Sequence, residues 1–231
     1  MRLTRLFVAA LLIGAVPAVD STVTQAHTVY GDLYANGKRW ARTDGRLPWR
    51  FESDFPNTIK RDAVVAAANA WADTNAGYVF DRVGPDFENL NWLDHCVTDA
   101  NAWKSVVQWI DIQKAGTATL CSRGTTKQAV RLRLDSNPSP YGWYSGTGCC
   151  PGPNQWDMWS VAAHEFGHFL AFLDGPGDDG GSHFHELDES ACPDLYTDRY
   201  NARETMCPGS PGWTVQRRPS YHDGSVARQV T

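Results

Sequence analysis

The sequence predicts an α/β protein in which five strands, at least partly parallel, pack against two helices. Three observations predict it. Strand-like and helix-like patterns follow one another in the order strand, helix, four strands, helix. A strand–helix–strand start implies a right-handed crossover and parallel pairing, which leaves one or two later strands to run antiparallel at an edge. The second helix is apolar on most of its surface, as expected of a helix that runs through a core.

The first 26 residues read as a secretory signal. Arg2 and Arg5 form a basic start, and Leu6 to Val16 is apolar but too short to span a bilayer. Small residues offer cleavage after Ala18 or Ala26, and Ala26 is preferred. No later apolar run is long enough to cross a membrane, so the expected mature protein, residues 27–231, is soluble, secreted and free of the membrane. Its length suits a single domain, or one divided by a deep cleft. The net charge of −5, with no basic run, argues against nucleic acid as a partner. A monomer is expected.

From Leu47 to Phe55 the chain reads as a strand, broken by Pro56-Asn57. Asn57 can cap a helix in which Ile59, Ala63, Ala66, Ala67, Ala70 and Trp71 recur at helical spacing, stopping at Asn75-Ala76-Gly77. Tyr78 to Val83, Val106 to Ile112, Thr117 to Cys121 and Ala129 to Leu134 read as four further strands. The segment between Asp86 and Ala102 is irregular, and His95 within it could be a metal ligand but, with no second ligand at a useful spacing, reads as a loop histidine. The Pro-, Gly- and Tyr-rich stretch from Asn137 to Asn154 reads as a loop, and Asp157 as the N-cap of the helix that follows.

That helix contains His164-Glu165-Phe166-Gly167-His168, an H-E-x-x-H motif. Positions i and i+4 of a helix lie about 40° apart in azimuth and about 6 Å apart along the axis. His164 and His168 can therefore offer two imidazole nitrogens to one zinc ion, while Glu165 stands beside the metal, able to take a proton from water. The motif also arises by chance in helices, so its surroundings matter. Val161, Phe169, Leu170, Phe172 and Leu173 are apolar, and polar groups among them need partners.

Asp174 follows His168 by six residues, and the run Gly175 to Ser182 ends any helix. Asp178 and Asp179 in that run could hold calcium, with a plain loop as the simpler reading. His183, His185, Glu186 and Glu189 supply further candidate ligands. A lone Met206 sits in the turn Glu204-Thr205-Met206-Cys207-Pro208-Gly209, and Ser220 with Asp223 marks the start of a last helix. Six cysteines, at 96, 121, 149, 150, 192 and 207, suit three disulfides in an exported protein; Cys192 with Cys207 is the favoured pair. Adjacent Cys149 and Cys150 are poorly placed to bond to each other.

The helix from Val161 to His168, Met206-Cys207-Pro208 and the Ser220-x-x-Asp223 helix start together resemble the matrixin-type metzincin zinc endopeptidases, and the resemblance covers most of the mature chain. It implies a twisted, mostly parallel five-stranded sheet over two long helices. An upper part reaching about residue 174 would be followed by a small irregular subdomain, residues 175–231, ending in a helix. It also implies one catalytic zinc held by His164, His168 and Asp174, with Glu165 as general base and Met206 in a turn beneath the metal. Two departures stand out. The family's glycine three residues after the second histidine is Ala171 here, and Asp174 stands where most members carry histidine. If Ala171 keeps the chain from turning, His183 or His185 is the alternative third ligand, and the Glu186 and Glu189 spacing resembles another zinc-protease class. The substrate implied is an extended polypeptide laid along an edge strand, for which Thr117 to Cys121 is the candidate. The rival readings are a zinc-bearing binding module without catalysis and a zinc hydrolase of a non-peptide bond.

Overall fold

A computed structural model of the chain describes residues 39–40, 44–56, 59–74, 76–88, 105–123, 126–148, 151–170, 217–219, 223–224 and 227. Strand β1 (Arg39–Trp40) is followed by β2 (Arg46–Phe51), helix α1 (Ile59–Ala70) and a 3₁₀ turn, Trp71–Asp73. Next come β3 (Val79–Arg82), β4 (Ser105–Ile110), β5 (Gly116–Arg123) and β6 (Thr126–Asp135). The short strands β7 (Gly142–Tyr144) and β8 (Gln155–Asp157) then lead into helix α2 (Met158–Leu170).

The main sheet runs in the order β1-β6-β4-β2-β3, with β5 on the other side of β6. All pairings are parallel except β5 with β6, which is antiparallel. This is the expected α/β sheet: the five strands read from the sequence form it, with the two-residue β1 added. Among the described residues β5 pairs only with β6, so it is an edge, and the expected edge segment Thr117 to Cys121 lies within it.

Alternation explains which face of the sheet is covered. In β2, Leu47, Trp49 and Phe51 point to the helices and are buried, while Arg50, and Glu52 just past the strand, point the other way. In β6, Leu132 and Leu134 join them. The opposite face carries polar side chains. Gln108 donates to Glu52 at 2.8 Å, and Arg131 donates to Gln108. On α1, Ala63, Val64, Ala67 and Ala68 make a narrow buried stripe. Small alanines let α1 lie close to α2, its neighbour over the sheet.

Aromatic rings fasten α2 to the sheet. Phe166 packs against Trp49 at 5.1 Å and Phe80 at 4.9 Å between ring centroids, and Phe169 against Phe80 at 5.4 Å. Each such contact contributes roughly 0.5–1.5 kcal/mol beyond burial.

The stretch 137–154, expected to be a loop throughout, contains β7, which pairs in parallel with β8 and aligns Trp143 with Trp156. Three-residue strands are too short to carry a period, and the prolines and glycines around them hid the pairing. The first strand also ends at Phe51 rather than Phe55. Asn57, His95, Cys96 and Ser220 lie outside the described residues, and the side chain of Cys121 is likewise not described. Asp223, Gly224 and Ala227 are helical, in keeping with a helix near the end of the chain. No helix of the described residues is long and apolar enough to cross a membrane.

Candidate active site

Helix α2 starts where its sequence says it should. Asp157 accepts hydrogen bonds from the Ser160 backbone N–H at 3.0 Å and from the Ser160 hydroxyl at 2.6 Å, the geometry of an N-cap. The same carboxylate, 1% exposed, is gripped by Arg217 from near the end of the chain. Arg217 donates through Nη2 to Oδ1 at 2.8 Å and through Nε to Oδ2 at 3.0 Å, a two-pronged ion pair. It also donates to the carbonyls of Gly146, Thr147 and Gly148, and lies over the rings of Tyr144 and Trp159. The hydrogen bond with Asp157 is the main cause that holds the guanidinium above its ordinary range.

Two indoles hold the same helix further along. Trp71 Nε1 donates to the Ala163 carbonyl and Trp40 Nε1 to the Phe169 carbonyl, both at 2.8 Å and both buried. The second bond satisfies one of the last four carbonyls of α2, which lack partners within the helix. None of these three anchors was apparent from the sequence; the ten tryptophans were the only sign, and they did not say which carbonyls they would reach.

On the helix so held, the rings of His164 and His168 stand side by side, with centroids 4.9 Å apart and planes at 82°. His168 and Glu165 are each 6% exposed, and His164 is half-buried. Glu165 Oε2 is buried with no hydrogen-bond partner among the described residues. Burial pushes the carboxyl up to about 8, against the smaller opposing pull of Arg133 and Lys114. The carboxylate lies against Gly116, the first residue of the edge strand. A Cβ added at Gly116 would come within 2.8 Å of Glu165 Oε1.

This is a donor set that suits zinc. Two neighbouring imidazoles are common zinc ligands, and an unpartnered buried carboxylate beside them is costly unless a cation or a proton neutralises it. Among the described residues no group of three or more histidine, cysteine, aspartate or glutamate side chains gathers as a metal cluster. Asp174, His183, His185, Glu186, Glu189, the calcium candidates Asp178 and Asp179, and Met206 all lie outside the described residues.

No family model matches the sequence, and no curated protein matches it. Among solved structures, the chain is similar to high choriolytic enzyme 1, a hatching enzyme zinc-protease from the medaka fish Oryzias latipes. The TM-score is 0.40 at 11% identity, over 85% of this chain and 94% of that one. It is also similar to myroilysin, with a TM-score of 0.37 at 12% identity, over 89% of this chain and 95% of that one. At this level of similarity neither structure assigns a role to a residue here.

Proposed function

We propose that the chain is a secreted zinc-dependent endopeptidase in which Glu165 is the general base. The observation that carries this reading is the pairing of two adjacent imidazoles, His164 and His168, with a buried carboxylate that has a free oxygen next to an edge strand. A structural zinc site has no use for such a carboxylate; a hydrolytic one needs it.

In this reading His164 and His168 hold the metal, Asp174 is the third ligand, and Met206 lies in the turn beneath. The domain runs from residue 27 to 231, behind a signal peptide of 26 residues. Bound zinc supplies Lewis acidity, which makes water acidic enough to act as a nucleophile near neutral pH. Glu165 takes the proton from the attacking water and holds it beside the scissile bond. It then delivers that proton to the departing amine, so the base of one step is the acid of the next. The substrate backbone pairs with the edge of β5 that is unpaired among the described residues, and because β5 begins at the residue touching Glu165, an extended peptide added there passes close to the base. Unpaired backbone groups of an edge strand recognise main chain rather than side chains, which suits an enzyme acting on polypeptides.

The test is Glu165→Gln. Zinc content and fold should be kept, and hydrolysis of a denatured-protein substrate should fall by at least about 10²-fold, the usual worth of a positioned base. Unchanged hydrolysis in the zinc-loaded variant rejects Glu165 as the base. A wild-type protein that binds zinc and an extended peptide but cleaves nothing points instead to a binding module.

A further inference from the structure

Glycine is a poor strand residue, and inside a strand it often marks the close approach of another group. Gly116 opens β5, paired with Leu134 of β6. A Cβ built there meets Glu165 Oε1 at 2.8 Å, Glu165 Cγ at 2.9 Å and Val161 Cγ1 at 2.9 Å. Real Cβ atoms essentially never come so close. Val161 and Glu165 are four residues apart on α2, so both press on the same spot. Val161 is β-branched and stiff in a helix. The strand cannot retreat easily either, because the next backbone along, Ala115, accepts a bond from Asp135 N–H at 3.3 Å. Two of the three close contacts belong to Glu165, whose side chain can turn aside about χ1, whereas Val161 and the strand give less.

We propose that Gly116 is a positioning residue for the base: its missing side chain is the seat in which the Glu165 carboxylate lies. The inference rests on the reading of Glu165 as the base. The seat fixes the carboxylate against the strand on which the substrate would lie, so the base and the docking edge share one point of reference. A methyl group at position 116 would meet Glu165 and Val161, with neither His164 nor His168 among its nearest contacts, and would displace the Glu165 side chain from its seat. Misplacing a reacting group by about 1 Å can cost about 10²-fold in rate.

The experiment compares the wild-type protein with Gly116→Ala, Glu165→Ala, Val161→Ala, Gly116→Ala/Glu165→Ala and Gly116→Ala/Val161→Ala, measuring zinc affinity, thermal stability and peptide hydrolysis. Gly116→Ala should keep zinc affinity within about twofold and KM within about twofold, while kcat falls by at least about tenfold. Its Tm should drop by about 3–10 °C, as for an overpacked site, and the drop should be clearly smaller in the Glu165→Ala background, where only the Val161 contact is left. Equal drops in the two backgrounds overturn the seat, whether or not the protein is a protease. So does a kcat restored by Val161→Ala, which would make Val161 the wall that matters. Where Gly116→Ala alone does not fold, the double variant with Glu165→Ala should; a double variant that also fails to fold overturns the proposal. A wild-type protein without hydrolytic activity rejects the base reading, yet the stability comparison still decides the contact.

Discussion

Arg217 closes on Asp157 with hydrogen bonds of 2.8, 3.0 and 3.3 Å, and so ties a segment 60 residues away to the first turn of the helix that carries both candidate zinc histidines. Asp157→Ala removes the cap and leaves the half-enclosed guanidinium without its main partner. Together these should cost about 2–5 kcal/mol, or a Tm drop of about 5–15 °C for a chain of this size. Asp157→Asn keeps a capping oxygen and should cost less. Thermal melts of the two variants check this; equal, negligible losses would show that the ion pair contributes nothing.

Trp71→Phe keeps most of the buried ring but leaves the Ala163 carbonyl without the indole donor. A destabilisation of about 1–3 kcal/mol is expected from the lost bond and the smaller ring. Because Ala163 precedes His164, zinc affinity should weaken as well. Denaturant titration and competition with a chelator measure the two effects separately.

Glu165 gives the metal-free protein a distinctive pH dependence. Its folded value of about 8 lies above the ordinary 4.5, so between those values the folded state holds a proton that the unfolded chain releases. That contribution to stability is fully present below about pH 4.5 and is lost as the pH rises toward 8. In a chelator, Tm should fall over this window more steeply for the wild type than for Glu165→Gln. Saturating zinc should flatten the difference, because a nearby cation favours the carboxylate. Identical slopes for the two proteins in chelator would contradict the buried, protonated carboxyl.

The third ligand can be identified by metal titration. Asp174→Ala should lower zinc affinity by at least about 10²-fold, with activity following occupancy. His183→Ala and His185→Ala should stay within about twofold of wild type. The reverse pattern would show that Ala171 keeps Asp174 from the metal and that the ligand comes from further along the chain.

The six cysteines should all be oxidised in the secreted protein. Alkylation under denaturing, non-reducing conditions should label no thiol; a labelled cysteine would remove at least one of the three disulfides.

What could be read in the sequence was local. The His164–His168 spacing, the core positions Ala63, Ala67 and Trp71, and the cap at Asp157 depend on neighbours within one or two turns of helix, and periodicity or residue type reveals them. The strand within β5 could be told from β6 because Gly124-Thr125-Thr126 interrupts the pattern, but which strand runs antiparallel was not legible. What escaped notice was long-range. Trp71 finds Ala163 across 92 residues and Arg217 finds Asp157 across 60, and nothing beside either residue announces its partner. Gly116 escaped for another reason: a glycine's role is defined by what fills the space beside it, and Glu165 is distant in sequence.

The bond from Trp40 to the Phe169 carbonyl has a kinetic meaning. It joins residues 129 apart, and β1 pairs with β6. Contacts of such separation form only after the intervening chain has collapsed into place, and parallel sheets are built largely from them. The end of α2 is therefore secured late in folding. Zinc bound as proposed would meet a scaffold already assembled, and should act by slowing its unfolding rather than by speeding its formation.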